Sequence, residues 1–162
     1  MSDYLNPGKA IIKISARPDL GVDKLLGLAK SRRDHGTVQL FNENGIINRI
    51  HLEGAYANAV LAFKEGTNRA REIPMEMMLY AAMTDQIGDA LDICGAAEGS
   101  RIIVFADSIA AFNRLKVSLG SVKEWKPDKM HITEVSKRYG IKPGKGSDEE
   151  LLERMALSRL RD

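Results

Sequence analysis

Cysteine is almost absent. Cys94 is the only one in 162 residues, which excludes an intrachain disulfide and fits a reducing compartment. Histidine is nearly as scarce: His35, His51 and His131 are the three, and none pairs with another at metal-ligand spacing, so the sequence holds no zinc-type cluster. A charge excess is missing too. Lys and Arg number 24 against 22 Asp and Glu, a net charge of +2. A domain built to hold a nucleic-acid backbone over a whole face is usually more basic, so any RNA contact must be a local patch. No apolar run reaches the roughly 18 residues that span a bilayer. The start, Met1-Ser2-Asp3-Tyr4-Leu5-Asn6-Pro7, lacks the basic segment and apolar run of a signal peptide. The expectation is a soluble cytoplasmic chain with no membrane partner. Fixed-period repeats and low-complexity blocks are absent, as are Gly-x-Gly-x-x-Gly and Gly-x-Ser-x-Gly motifs.

What remains is an ordinary globular composition, 44% apolar and 28% charged, in a chain long enough to bury a core without staples. Lys9 to Ile14 and Thr37 to Phe41 read as short strands, and Val22 to Arg33 as a helix with Val22, Leu25, Leu26 and Ala29 on one face. Asn44-Gly45 is a turn signal, and whether Ile46 to Ile50 pairs back as a hairpin stays open. Leu52, Ala55, Tyr56, Ala59, Val60 and Phe63 recur at helix spacing up to Gly66. Pro74 suits an early helix position, and Met75 to Met83 is apolar on nearly every side. Thr84 is placed to cap a further helix whose Ile87, Ala90, Leu91 and Cys94 face one way, with Gly95 at its end. Ile102-Ile103-Val104-Phe105 reads as a buried central strand, followed by a helix from about Ser108 to Leu119. Ile132, Val135 and Tyr139 mark a short helix. A final helix begins at Ser147, which forms a capping box with Glu150 and buries Leu151, Leu152, Met155, Ala156 and Leu160. The whole reads as one α+β domain over 1–162, a small mixed or antiparallel sheet covered by several helices.

Candidate chemistry is thin. His51-Leu52-Glu53 puts a base beside an acid, but such near neighbours do not face each other on a helix and no third partner is present, so a structural role at the helix start is favoured. Gly144-Lys145-Gly146-Ser147 suggests a phosphate loop, yet an extra glycine separates Lys145 from Ser147 and no strand precedes it, so the pattern fails. A small nucleotide-binding enzyme using this loop is the alternative class, and an autonomous RNA-binding module is another. Asp85, Asp89 and Asp92 form the polar side of an amphipathic helix, or a surface complementary to a basic partner. Lys64, Arg69 and Arg71 cluster around Gly66-Thr67-Asn68, either as a solvated loop or as a phosphate contact. Met75, Met77, Met78, Leu79, Tyr80 and Met83 suit core packing, and methionine-rich surfaces also suit adaptable partner sites.

The ordered set His51-Leu52-Glu53-Gly54-Ala55, Phe63-Lys64-Glu65-Gly66, Ile73-Pro74-Met75-Glu76-Met77-Met78-Leu79-Tyr80, Gln86-Ile87-Gly88-Asp89-Ala90 and Ile93-Cys94-Gly95 resembles the kinase-binding subunit of the KEOPS complex (the TPRKB-type family), and an archaeal member in particular. The resemblance is strongest over residues 50–106. It implies a mixed α/β protein with no catalysis and no cofactor of its own. Its direct partner would be the atypical kinase/ATPase subunit of KEOPS and its indirect partners the remaining subunits, in the synthesis of threonylcarbamoyladenosine. It also implies help in recruiting tRNA through the CCA end. Kinase contact is expected at Met75, Met78, Tyr80 and Met83. Contact with tRNA is expected at Lys64, Arg69, Arg71, Gln86 and Arg159, with Arg154 and Arg161 nearby. One departure stands out: Asp85 occupies the position before the Gln-Ile pair where the family usually has arginine, a charge reversal that either weakens tRNA contact or leaves it to Lys64, Arg69 and Arg71.

Overall fold

The computed structural model describes residues 10–14, 21–31, 36–113 and 122–158. The chain divides into two compact units. Met1–Glu43 with Ala96–Trp125 forms one, and Asn44–Gly95 with Lys126–Asp162 forms the other.

The first unit holds a four-stranded sheet: β1 (Ala10–Ile14), β2 (Val38–Asn42), β3 (Ile102–Ala106) and β4 (Val122–Glu124), in the order β2-β3-β1-β4. Every pairing is antiparallel, with Leu40 opposite Val104, Ile12 opposite Val104 and Lys13 opposite Lys123. All five residues of β3 are buried, which is why its sequence is a continuous apolar run rather than an alternation. Val38, Leu40, Ile102, Val104 and Ala106 form a core with Val22 and Leu25 of α1 (Val22–Ser31) and with Ala111 and Phe112. Helix begins at residue 109, and the remainder of the expected helix to Leu119 lies outside the described residues, as do Arg32 and Arg33. The start of α1 is fixed by Glu98, whose Oε1 accepts the Val22 N–H at 2.8 Å.

The second unit is helical: α2 (Arg49–Glu65), α3 (Ile73–Ala82), α4 (Ile87–Cys94), α5 (Lys129–Arg138) and α6 (Ser147–Leu157). No hairpin follows Asn44-Gly45. Glu43–Gly45 forms one 3-10 turn, and α2 begins at Arg49 behind its N-cap, Asn48, whose side chain accepts the His51 N–H at 3.0 Å. Gly45 does not use a positive φ, and its role is close approach: a Cβ there would run into the Ile93 carbonyl and Cys94 Cα. Helix α2 packs on α3 and α6, and Gly54 makes room for the ends of Leu152 and Met155. It ends at Gly66 in the left-handed region (φ 73°), with the Thr67 N–H returning to Ala62 O at 2.9 Å.

Local signals differ from expectation at three places. Thr84 does not cap α4; Gln86 is the N-cap, and the Thr84 hydroxyl accepts the Gln86 N–H at 3.2 Å. The capping box at α6 does not form: Gly146 is the N-cap, Ser147 donates to Gly144 O at 2.7 Å and Glu150 pairs with Arg154 at 2.6 Å. The buried stripe of α6 is narrower than its apolar residues suggest, since Leu151 and Met155 are buried while Leu152 and Ala156 are exposed. Leu160 lies outside the described residues.

Candidate functional site

Two groups of residues in the helical unit are built with care. The first surrounds the stretch 44–47, which belongs to neither helix nor strand beyond its 3-10 turn. Its backbone polar groups are met by side chains: Arg138 donates to Asn44 O at 2.8 Å, Tyr139 to Gly45 O at 2.5 Å, and His131 Nε2 lies 2.8 Å from Ile46 O. His51 completes the set. Its Nδ1 accepts the Ile47 N–H at 3.0 Å and its Nε2 donates to Ala81 O at 2.7 Å. A backbone amide only donates and a carbonyl only accepts, so these partners fix the neutral tautomer protonated on Nε2. Full burial lowers the His51 pKa to about 4, against the smaller opposing pull of the Ala81 carbonyl. Its ring also meets Tyr139 edge-on at 5.3 Å. Cys94 points its thiol at Gly45 O and Tyr139 Oη, and burial pushes its pKa up to about 12. Such a thiol is no nucleophile at neutral pH. His51 is therefore structural, as its sequence context suggests, and pins the start of α2 to the end of α3.

The second group is the loop between α2 and α3 and the edge of α4. Glu76 is wholly buried, and its Oε1 accepts the N–H groups of Arg69 at 2.9 Å and Ala70 at 2.8 Å. This holds the loop that carries Arg69 and Arg71. Sequence reading passes over Glu76, yet one acid inside an apolar helix is itself the signal, because a buried carboxylate needs donors. Lys64, Arg71 and Gln86 are exposed around this loop. Arg69 is committed differently: its guanidinium meets Asp85 at 2.8 Å, and Gln86 Nε2 donates to the other Asp85 oxygen at 3.1 Å. Arg159 lies outside the described residues, as does Arg161. Arg154 binds the end of α5, donating to Tyr139 O at 2.7 Å and Gly140 O at 3.2 Å.

The methionine-rich helix is mostly interior. Met78 and Tyr80 are only 2% and 7% exposed, so they support the surface from beneath, while Met75 and Met83 are half-buried. Met83 is the one non-glycine residue with positive φ (56°) among the described residues, and it closes α3 in the left-handed conformation. Apolar exposure is concentrated instead on α4, where Ala90 and Cys94 are buried but Ile87, Leu91 and Ile93 are 46%, 45% and 42% exposed. The loop 143–146 is exposed or half-exposed, and its Ser147 hydroxyl is used locally by Gly144 O. Among the described residues no three His, Cys, Asp or Glu side chains gather where a metal could bind, and no helix is long and apolar enough to cross a membrane.

These features define an α+β protein whose distinctive groups are a structural hydrogen-bond network and a set of exposed helix surfaces. The sequence profile of the family described as Kinase binding protein CGI-121 matches residues 22–161, and the chain belongs to that family. No curated protein matches the chain.

Proposed function

We propose that this protein is a non-catalytic accessory subunit of the KEOPS complex, which synthesises threonylcarbamoyladenosine on tRNA. It binds and supports the atypical kinase/ATPase subunit directly, meets the remaining subunits through it, and helps to recruit tRNA by the CCA end. The single observation that carries this reading is membership of a kinase-binding family across residues 22–161. The polar groups described above support it, because His51, Cys94 and Tyr139 are spent on holding backbone. In this reading the exposed edges of Met75 and Met83 meet the kinase, with Met78 and Tyr80 packed beneath them. Lys64, Arg69, Arg71, Gln86 and Arg159 serve tRNA. The protein works in the cytoplasm, and the sequence resemblance favours an archaeal source.

The reading is tested by mixing the chain with the kinase subunit of its own source and following complex formation by size-exclusion chromatography. A stable complex at micromolar concentrations is expected, and its absence overturns kinase binding. The tRNA part is tested separately, with intact tRNA and with tRNA lacking the terminal CCA. Weaker binding of the trimmed form is expected, and equal affinity contradicts CCA recognition.

A further inference from the structure

Helix α4 presents four rows of side chains one turn apart. The inner row is Ala90 and Cys94, both buried. Ile87 and Leu91 form an apolar ridge on one flank, Asp89 and Ile93 a second ridge on the other, and Gly88 and Asp92 lie between them. Three large apolar side chains on an eight-residue helix are thus about half exposed, an arrangement a solvated helix face does not require. Gly88 adds an independent observation. It is exposed, has no positive φ, and a Cβ there would meet nothing within 4 Å. Nothing among the described residues explains a glycine that weakens a helix relative to alanine. A glycine with open space above it is suited to close approach by another molecule. The acids differ among themselves. Asp85 is satisfied by Arg69, whereas Asp89 and Asp92 are exposed and join no ion pair among the described residues.

We infer that the outer face of α4 extends the kinase-docking surface beyond the edges of Met75 and Met83: the partner seats a side chain over Gly88 between the two ridges and sets Lys or Arg against Asp89 and Asp92. This rests on the kinase-binding reading and deepens it. The charge pattern selects the occupant. Exposed carboxylates beside apolar side chains disfavour a second copy of the same face, which would bring like charges together, and disfavour the RNA backbone. They favour a protein surface that is apolar and basic.

The test uses the full chain and its kinase, with affinity measured by surface plasmon resonance at several salt concentrations. Ile87→Ser with Leu91→Ser is expected to weaken binding by at least about tenfold, as loss of central apolar anchors does. Asp89→Lys with Asp92→Lys is expected to slow association and flatten its salt dependence. Gly88→Ala gives the sharpest contrast: it should leave the melting temperature of the lone chain equal or higher while weakening the complex. Met130→Ser, which removes an exposed apolar side chain from α5, is the control and should bind as the parent does. If the α4 variants bind the kinase like the parent chain, the docking face is wrong and kinase binding stands. If they alter only self-association, the face joins copies of this chain and the inference is overturned. If the parent chain itself fails to bind, both are overturned.

Discussion

The guanidinium of Arg69 and the carboxylate of Asp85 meet at 2.8 Å, tying the loop before α3 to the residues that lead into α4. The family resemblance marks Asp85 as a charge reversal just before α4. The pairing shows where its charge goes: it offsets that of Arg69, one of the cations proposed to serve tRNA. Both side chains are about one-third exposed or more, so the pair is weak and a phosphate can compete for it.

Replacing Asp85 by Asn keeps an oxygen that can orient Arg69 but removes the competing charge. Affinity for tRNA at low salt should rise about two- to fivefold, the scale of an exposed ion pair. The gain should vanish in an Arg69→Ala background. An unchanged affinity, or an equal gain without Arg69, shows that the pair does not restrain RNA binding. Filter binding across the four variants of the cycle measures this.

His51 sets an acid limit on stability. Its pKa lies near 4 in the folded chain against an ordinary 6.5. Between these values the unfolded chain binds the proton and the folded chain does not, so stability falls as the pH drops. The contribution is complete above about pH 6.5 and is lost progressively down to about pH 4, with a total on the order of 3 kcal/mol. Urea unfolding at stepped pH, compared with a His51→Gln chain, isolates it. A slope in this window that is the same in both chains would rule His51 out as its source.

Glu76 is predicted to be the support of the basic loop. Glu76→Ala strands the Arg69 and Ala70 amides and should cost roughly 3–6 kcal/mol, since hydrogen bonds to a charged group are worth about 1.5–3 each. Native-state hydrogen exchange should speed up at these two amides before it does along α2. Protection equal to that of the parent chain would contradict the role.

Gly45 and Gly66 should respond differently to alanine. At Gly66 there is open space, and only the left-handed φ of 73° is strained, a cost of about 1 kcal/mol. At Gly45 a Cβ meets the backbone of Ile93 and Cys94, which cannot turn aside, so Gly45→Ala should cost more, by an overpacking penalty of roughly 1–3 kcal/mol. Thermal denaturation of the two variants gives the order, and a smaller loss at Gly45 would refute the close-approach account.

Periodicity made most of the elements legible in the sequence. The apolar run at Ile102 to Phe105 is β3, and Gly66 ends α2 where its position suggests. What escaped was decided by tertiary contact. Asn44-Gly45 carries a hairpin signal, but Arg138, Tyr139, His131 and His51 capture the backbone of 44–47 and hold it open. Ser147 and Glu150 have capping-box spacing, yet Arg154 draws Glu150 away along α6. Exposure was the least legible property. Ile87 and Leu91 share helical spacing with the buried Ala90 and Cys94, and only the packing of α3 against α4 decides which pair is covered. Arg69 likewise reads as a free cation until the chain folds and brings Asp85, sixteen residues away, against it.

The function proposed for this chain is to bind a kinase without supplying chemistry itself. Isothermal titration of the kinase subunit with the purified chain tests it most directly. Saturable one-to-one binding is expected, with a Kd on the order of 1 μM or tighter, near −8 kcal/mol. No saturable heat, together with no complex on chromatography at concentrations of tens of micromolar (about ten times that Kd or more), would contradict it.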